Sequence, residues 1–371
     1  MHSSKIEPQS RDQARLEFVA AGDWAGCEII AFPGDASTRS YYRLVKDGKT
    51  AILMDAPSGA EAPACPPDAD WDMRAKLGYN AEARLSACNT GAFCGLAQGL
   101  TQRGFSAPRI WQADLGQGFL ILEDLGDNLF ARDIEAGAHE GAYYAGAIDV
   151  LGALYRSSFL EYFDFQDHRW WVGAYDHQAL RAETHLFTNW YIKFQAEQNL
   201  SADELHEWDA IWDQLWPALE AHAPGLILRD FHAENLLWLP QREGQARVGL
   251  LDFQDALFGH PAYDLVSLLE DARRDVSADL VEPLKDRFFE AAKLKDREAF
   301  EAAYAILGAQ RNAKILGIFV RLAVRDKKGK YLDLIPRVAR HFVKNINHPL
   351  LKDLKAFVTK HAEIVMKDAQ R

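Results

Sequence analysis

Between Leu226 and Asp255 the chain alternates between apolar runs and polar loops, and that alternation restricts what it can fold into. Leu226-Ile227-Leu228 has strand character and delivers Arg229 to Asn235 into a loop. Leu236-Leu237-Trp238-Leu239 is apolar again, and after a Gly/Gln/Arg turn Val248-Gly249-Leu250-Leu251 leads directly into Asp252. This reads as strand, loop, strand, turn and strand, with Asp230, Asn235 and Asp252 carried at neighbouring strand ends. An Asp, an Asn and a second Asp so arranged suit phosphoryl transfer from a metal-bound nucleotide. One carboxylate orients and deprotonates an acceptor hydroxyl, while an amide and the other carboxylate hold Mg²⁺ against the phosphates. Each residue alone has a plainer reading, because Asp and Asn at strand ends also cap turns and satisfy local backbone.

The block resembles the aminoglycoside phosphotransferase-like kinases. Their catalytic loop commonly reads His-Gly-Asp-x-His-x-x-Asn; here Asp230, His232 and Asn235 stand in that pattern, with Leu228-Arg229 in place of His-Gly. Asp252-Phe253 matches the metal-binding segment, and Gly259-His260-Pro261-Ala262-Tyr263-Asp264-Leu265 matches the Gly-x-Pro-x-x-Asp-Leu segment downstream. Within that family, Leu-Arg-Asp-Phe-His and Leu-Asp-Phe-Gln-Asp-Ala look most like the bacterial cell-wall-sugar kinases, which phosphorylate the anomeric hydroxyl of N-acetylmuramate and N-acetylglucosamine. The resemblance implies an α+β, two-lobed protein-kinase-like fold: a small N-lobe with an antiparallel sheet over residues 1–123 and a larger, mainly helical C-lobe over 124–371. It implies Asp230 as catalytic base, Asn235 and Asp252 as metal ligands, and ATP with Mg²⁺ as cofactors. His232 is expected to order the loop.

Upstream, Ile29 to Phe32 and Tyr41 to Val45 read as strands joined by a small-residue turn, Gly34-Asp35-Ala36-Ser37-Thr38-Arg39-Ser40. Such a turn is a common hairpin connection. By motif order in the family it becomes the phosphate-covering loop, with Gly34, Ser37, Thr38 and Arg39 at the nucleotide. The next strand, Thr50 to Ala56, departs from the kinase pattern: Met54 stands where a phosphate-pairing lysine belongs. Arg39 or Arg43 is expected to supply the missing charge, and both also read as solvated strand-end arginines. Glu82 stands where an acidic partner for that cation would lie, and also reads as an exposed helix residue. Gly118 to Gly126 contains Glu123-Asp124-Leu125-Gly126, the kinase-like hinge, where backbone groups of Glu123 to Leu125 are expected to hold adenine.

The Pro-rich stretch 57–72 reads as a loop, and a helix is expected from about Tyr79 to Thr101, interrupted at Gly91, Gly95 and Gly99. From Leu129 onward helical periodicity dominates, and Asp264 is expected to N-cap the helix bearing Leu265, Leu268 and Leu269. Trp170, Trp171 and Trp190 offer flat faces to a pyranose, although aromatic helix faces are commonly plain core.

Composition narrows the alternatives. A chain of 371 residues with 48% apolar and 26% charged residues is expected to fold into two packed lobes. Its net charge of −12 argues against nucleic acid or an anionic membrane as partner. The four cysteines form no Cys-x-x-Cys pair, the N-terminus lacks a signal-peptide core, and no apolar run spans a bilayer, so a cytoplasmic location is expected. These observations point to a kinase acting on a small-molecule sugar, most directly an N-acetylated amino sugar of cell-wall recycling. The alternatives are a phosphotransferase for an aminoglycoside or another small alcohol, and a non-catalytic nucleotide-binding protein.

Overall fold

The computed structural model describes residues 10–33, 39–57 and 62–371; Gly34, Ser37 and Thr38 of the expected phosphate loop lie outside the described residues. Helix α1 (Arg11–Ala20) is followed by strands β1 (Glu28–Ala31), β2 (Ser40–Lys46) and β3 (Lys49–Asp55). Asp47 and Gly48 both adopt left-handed backbone, φ 51° and 72°, which is the tight turn whose twist matches a hairpin. After α2 (Trp71–Leu77), α3 (Tyr79–Glu82) and α4 (Thr90–Thr101) come β4 (Ile110–Asp114) and β5 (Phe119–Glu123). These five strands form one antiparallel sheet in the order β1-β2-β3-β5-β4.

Period-two alternation gives the sheet two apolar faces. Leu44, Leu53, Phe119 and Ile121 pack with Phe18, Val19 and Trp24 on the α1 side. Met54, Leu120 and Leu122 join Phe93, Cys94, Leu96 and Ala97 of α4 in the main core. Leu16 of α1 faces solvent, 49% exposed.

The single helix expected over 79–101 is two helices, broken across residues 83–89. Gly91, Gly95 and Gly99 do not interrupt α4; they let another hairpin lie on it. A Cβ at Gly91 would stand 2.1 Å from His168 Cδ2, and one at Gly99 2.2 Å from Phe163 Cδ1. That hairpin, β6 (Tyr162–Phe165) and β7 (His168–Trp171), lies in a region expected to be helical and follows α5 (Phe130–Glu135) and α6 (Glu140–Arg156).

Beyond it, α7 (His177–Leu186) continues as a π-helix over Phe187–Gln195, and α8 (Ala202–Leu215) is followed by β8 (Gly225–Ile227), β9 (Leu236–Trp238), β10 (Val248–Leu250) and β11 (Leu257–Gly259). The remainder is helical: α9 (Ala262–Leu269), α10 (Ala278–Ala291), α11 (Arg297–Val324), α12 (Ile335–Ile346), α13 (Lys352–His361) and α14 (Ile364–Asp368). Helix α11 is 28 residues long and packs against α7, α9 and α12. Among the described residues no helix is long and apolar enough to cross a membrane.

Candidate active site

Two short two-stranded sheets aim the polar loops. Strand β8 pairs antiparallel with β11, Ile227 opposite Leu257, and β9 pairs with β10, Leu236 opposite Leu250. The Leu251 N–H donates to the Asn235 carbonyl at 3.0 Å, so the loop bearing Asp230 and Asn235 is clamped beside the strand end bearing Asp252. The strands are too short to be stable alone, and burial of Leu226, Leu228, Leu236 and Leu250 fixes them in the core.

The loop itself is over-determined. Asp264 is not the N-cap of α9; Pro261 precedes that helix, and Asp264 lies within its first turn, 2% exposed. Its two carboxylate oxygens accept the Leu228 N–H at 2.6 Å and the Arg229 N–H at 2.8 Å. Burial pushes the Asp264 carboxyl up to about 7, with the two N–H groups pulling the other way. The Asn235 side-chain amide donates from Nδ2 to the Asp230 carbonyl at 2.9 Å, which leaves its oxygen, the end that binds a hard cation, for other use. His232 Nε2 stands 3.3 Å from the same Nδ2 and 3.5 Å from Arg273 Nη1. Burial lowers the His232 pKa to about 4, so the ring is neutral near pH 7.

Asp252 has left-handed backbone, φ 55°, at the end of its strand. Arg39 Nη1 and Gln254 Nε2 converge on its Oδ1 at 3.3 and 2.8 Å. Although 44% of the side chain reaches solvent, protein crowds it: burial and then the neighbouring Asp230 carboxylate raise its pKa, while Arg39 and the Gln254 hydrogen bond oppose them. The next residue, Phe253, stacks on Phe93 of α4 at 5.0 Å between centroids, so the same turn locks the strand end to the sheet-backing helix.

The two candidate cations separate. Arg39 faces Asp252, whereas Arg43 is held by Asp124 through Nε at 2.8 Å and by Asp127 through Nη2 at 2.8 Å, at the segment after β5. Met54 is 1% exposed in the apolar interface with α4, and Glu82 sits on a separate short helix. The Glu123 carboxylate bonds Arg242 at 2.6 Å, and its N–H donates to the Arg109 carbonyl at 2.8 Å, so that amide is engaged within the sheet.

Trp170 and Trp171 line a cleft of about 530 Å³ with Arg84, Glu161 and Phe258. Trp190 is elsewhere, partly buried against the core and stacked on Phe194 at 5.4 Å. Sequence reasoning missed Gln254 and the Arg39–Asp252 pairing; the Gln immediately after Asp252-Phe253 was the available signal for the first.

A family model described as the phosphotransferase enzyme family matches residues 28–303. The chain is 42% identical over 354 residues to a Caulobacter vibrioides protein named N-acetylmuramate/N-acetylglucosamine kinase, covering 95% of this chain and 97% of the relative. A Pseudomonas aeruginosa protein of the same name is 30% identical, covering 87% of this chain and 86% of the relative. Among solved structures, a choline/ethanolamine kinase family protein from Mesorhizobium loti superposes with a TM-score of 0.56 at 17% identity, covering 94% of this chain and 98% of the other. The ADP-bound aminoglycoside phosphotransferase APH(2'')-Ib superposes with a TM-score of 0.53 at 13% identity, covering 89% and 97%. These two likenesses establish the protein-kinase-like fold.

Proposed function

The chain belongs to the phosphotransferase enzyme family, and we propose that it phosphorylates the anomeric hydroxyl of N-acetylmuramate and N-acetylglucosamine with Mg²⁺·ATP. The observation that carries the sugar assignment is the 42% identity, over 95% of the chain, to a relative of that name. The chemistry is supported by the clamped loops that bring Asp230, Asn235 and Asp252 to adjoining strand ends.

Asp230 accepts the proton of the sugar hydroxyl and orients it toward the transferred phosphoryl group. An anomeric hydroxyl is more acidic than an ordinary sugar alcohol, and the loose transition state asks for positioning more than for a strong base. The Asn235 amide oxygen and Asp252 carboxylate form a hard, all-oxygen donor set beside a second carboxylate, a set that fits Mg²⁺. Bound there, Mg²⁺ would neutralise phosphate charge. Arg39 supplies the positive charge that the β3 position lacks, with Gly34, Ser37 and Thr38 covering the phosphates. With the Glu123 N–H donating to the Arg109 carbonyl, adenine is left to the Glu123 carbonyl and the backbone of Asp124 and Leu125. We place the lobe boundary after Glu123, and the need for ATP puts the working enzyme in the cytoplasm.

The test is incubation with Mg²⁺·ATP and each sugar, followed by phosphorus NMR. A phosphomonoester coupled to the anomeric proton is expected. Phosphate on the 6-position, or turnover only with an aminoglycoside, would overturn the assignment.

A further inference from the structure

Immediately before Asp230 the backbone is left-handed: Arg229 has φ 70°. A glycine takes that conformation freely, whereas a side chain there costs roughly 1–2 kcal/mol. The residue is also 3% exposed, so its guanidinium is buried. Packing alone does not account for a strained, buried charge at this position, since an apolar side chain would fill the space without desolvating an ion.

The guanidinium is held from two sides. Arg229 Nη2 donates to Oε1 of Glu183, a fully buried residue of α7. Nη1 donates at 3.1 Å to the carbonyl of Ala83, at the start of the break before α4. The Glu183 carboxylate accepts from the Tyr175 hydroxyl, from Gln310 Nε2 at 3.0 Å and from Lys314 Nζ at 3.3 Å, the last two on α11. Lys314 Nζ also donates to the Tyr263 hydroxyl at 2.7 Å. Burial alone would raise the Glu183 pKa; Lys314 and Arg229 outweigh it and hold the group at about 2, so the carboxylate is charged.

The consequence is mechanical. Asp264 fixes the Leu228 and Arg229 amides, and the Glu183 cluster fixes the Arg229 side chain, so the residue before Asp230 is restrained at backbone and at tip. The Ala83 contact brings in the segment whose Ser86 N–H bonds Asp255 Oδ1 at 2.5 Å, a few residues beyond Asp252. One buried cluster therefore braces both loops that carry the acidic residues of the site.

We propose that Arg229 is a positioning residue of the phosphoryl transfer: anchored by buried Glu183 of α7 and by the Ala83 carbonyl, it holds the left-handed turn that aims the Asp230 carboxylate. This rests on Asp230 as the base that receives the acceptor proton.

The decisive variant is Arg229→Met. Lys314 still neutralises Glu183, so no lone buried charge is left behind. Expected are an unchanged fold by circular dichroism, ATP affinity by calorimetry close to wild type, and a kcat lower by about a hundredfold, the scale of a misplacement near 1 Å. The KM for the acceptor should change far less than kcat. Arg229→Lys, which can still reach Glu183, should recover part of the kcat. Glu183→Gln should lower kcat with Arg229 intact, and the double variant Arg229→Met with Glu183→Gln should lose little beyond either single, as residues acting as a unit do.

A purely structural role would lower the unfolding midpoint while leaving kcat per folded molecule intact, and that pattern overturns the proposal. If Arg229→Met does not fold, Arg229→Lys and Glu183→Gln decide the question; wild-type kcat in both overturns it. All rates are compared with whichever acceptor the wild-type enzyme turns over. A wild type inactive on both amino sugars therefore defeats the acceptor assignment separately from the role of Arg229.

Discussion

Arg39 Nη1 lies 3.3 Å from Asp252 Oδ1, so the cation that faces this carboxylate comes from the residue just before β2 and not from β3. Its partner lies 213 residues away in sequence, and the pair joins the sheet to the strand end after β10. Arg43, four residues on, is turned toward Asp124 and Asp127.

The two arginines should therefore behave differently. Arg39→Met is expected to weaken Mg²⁺·ATP binding by more than about tenfold, a loss of some 1.4 kcal/mol of charge stabilisation, with Arg39→Lys intermediate. Arg43→Met removes two ion pairs, to Asp124 and Asp127, that point away from Asp252, and should leave nucleotide affinity nearer to wild type than Arg39→Met does. Calorimetric titration of both variants checks this; equal losses would mean that Arg43 shares the phosphate role.

Asp264→Ala should be strongly destabilising and inactivating together. The substitution leaves the Leu228 and Arg229 N–H groups buried without acceptors, at about 1–3 kcal/mol each, directly before Asp230. Asp264→Asn keeps one acceptor oxygen and should fall between. Urea unfolding gives the first quantity and kcat the second; a variant that is destabilised yet fully active would show that the Asp264 anchor does not position the loop.

The strand-and-loop run that carries Asp230, Asn235 and Asp252 was legible because it is local. Asp230, Asn235 and Asp252 lie within one run of strand and loop, where periodicity and turn chemistry act over a few residues. The five-strand sheet was legible for the same reason. What escaped depends on distant packing. Nothing near Gly91, Gly95 and Gly99 tells that the β6–β7 hairpin will lie on them, so they read as breaks. Asp264 looks like a cap from its neighbours, and only the arrival of the Leu228 and Arg229 amides from over thirty residues upstream makes it an anchor. Arg229 read as a departure from a motif, because its partner Glu183 is 46 residues away.

His232 should make the native state acid-sensitive. Its folded pKa of about 4 lies below the ordinary histidine value near 6.5, so between those limits the unfolded chain binds the proton and the folded one does not. The stability contributed by keeping the ring neutral is complete above pH 6.5 and is lost progressively as pH falls toward 4. The limiting slope is about 1.4 kcal/mol per pH unit. His260, at about 3, adds to the same trend, while the raised carboxyl of Asp264 opposes it, so the comparison is made against His232→Gln. The unfolding free energy of wild type minus that of the variant should shrink steadily from pH 6.5 to 4.5. A difference that stays flat across that window would contradict a buried neutral His232.

Met54→Lys puts the kinase lysine back and should not help. On one side of β3 the space belongs to α4, whose facing residues Phe93, Cys94, Leu96 and Ala97 are apolar, so the introduced ammonium would be desolvated among them. The positive charge at Asp252 already comes from Arg39. A lysine in that core would either give up its proton or force the sheet away from the helix, each destabilising by several kcal/mol, roughly 2–5. The expected result is an unfolding midpoint well below wild type, with ATP affinity no tighter. A Met54→Lys enzyme of normal stability that binds Mg²⁺·ATP more tightly would show that the lysine reaches the phosphates, and that the place left by the family's missing residue is open rather than filled.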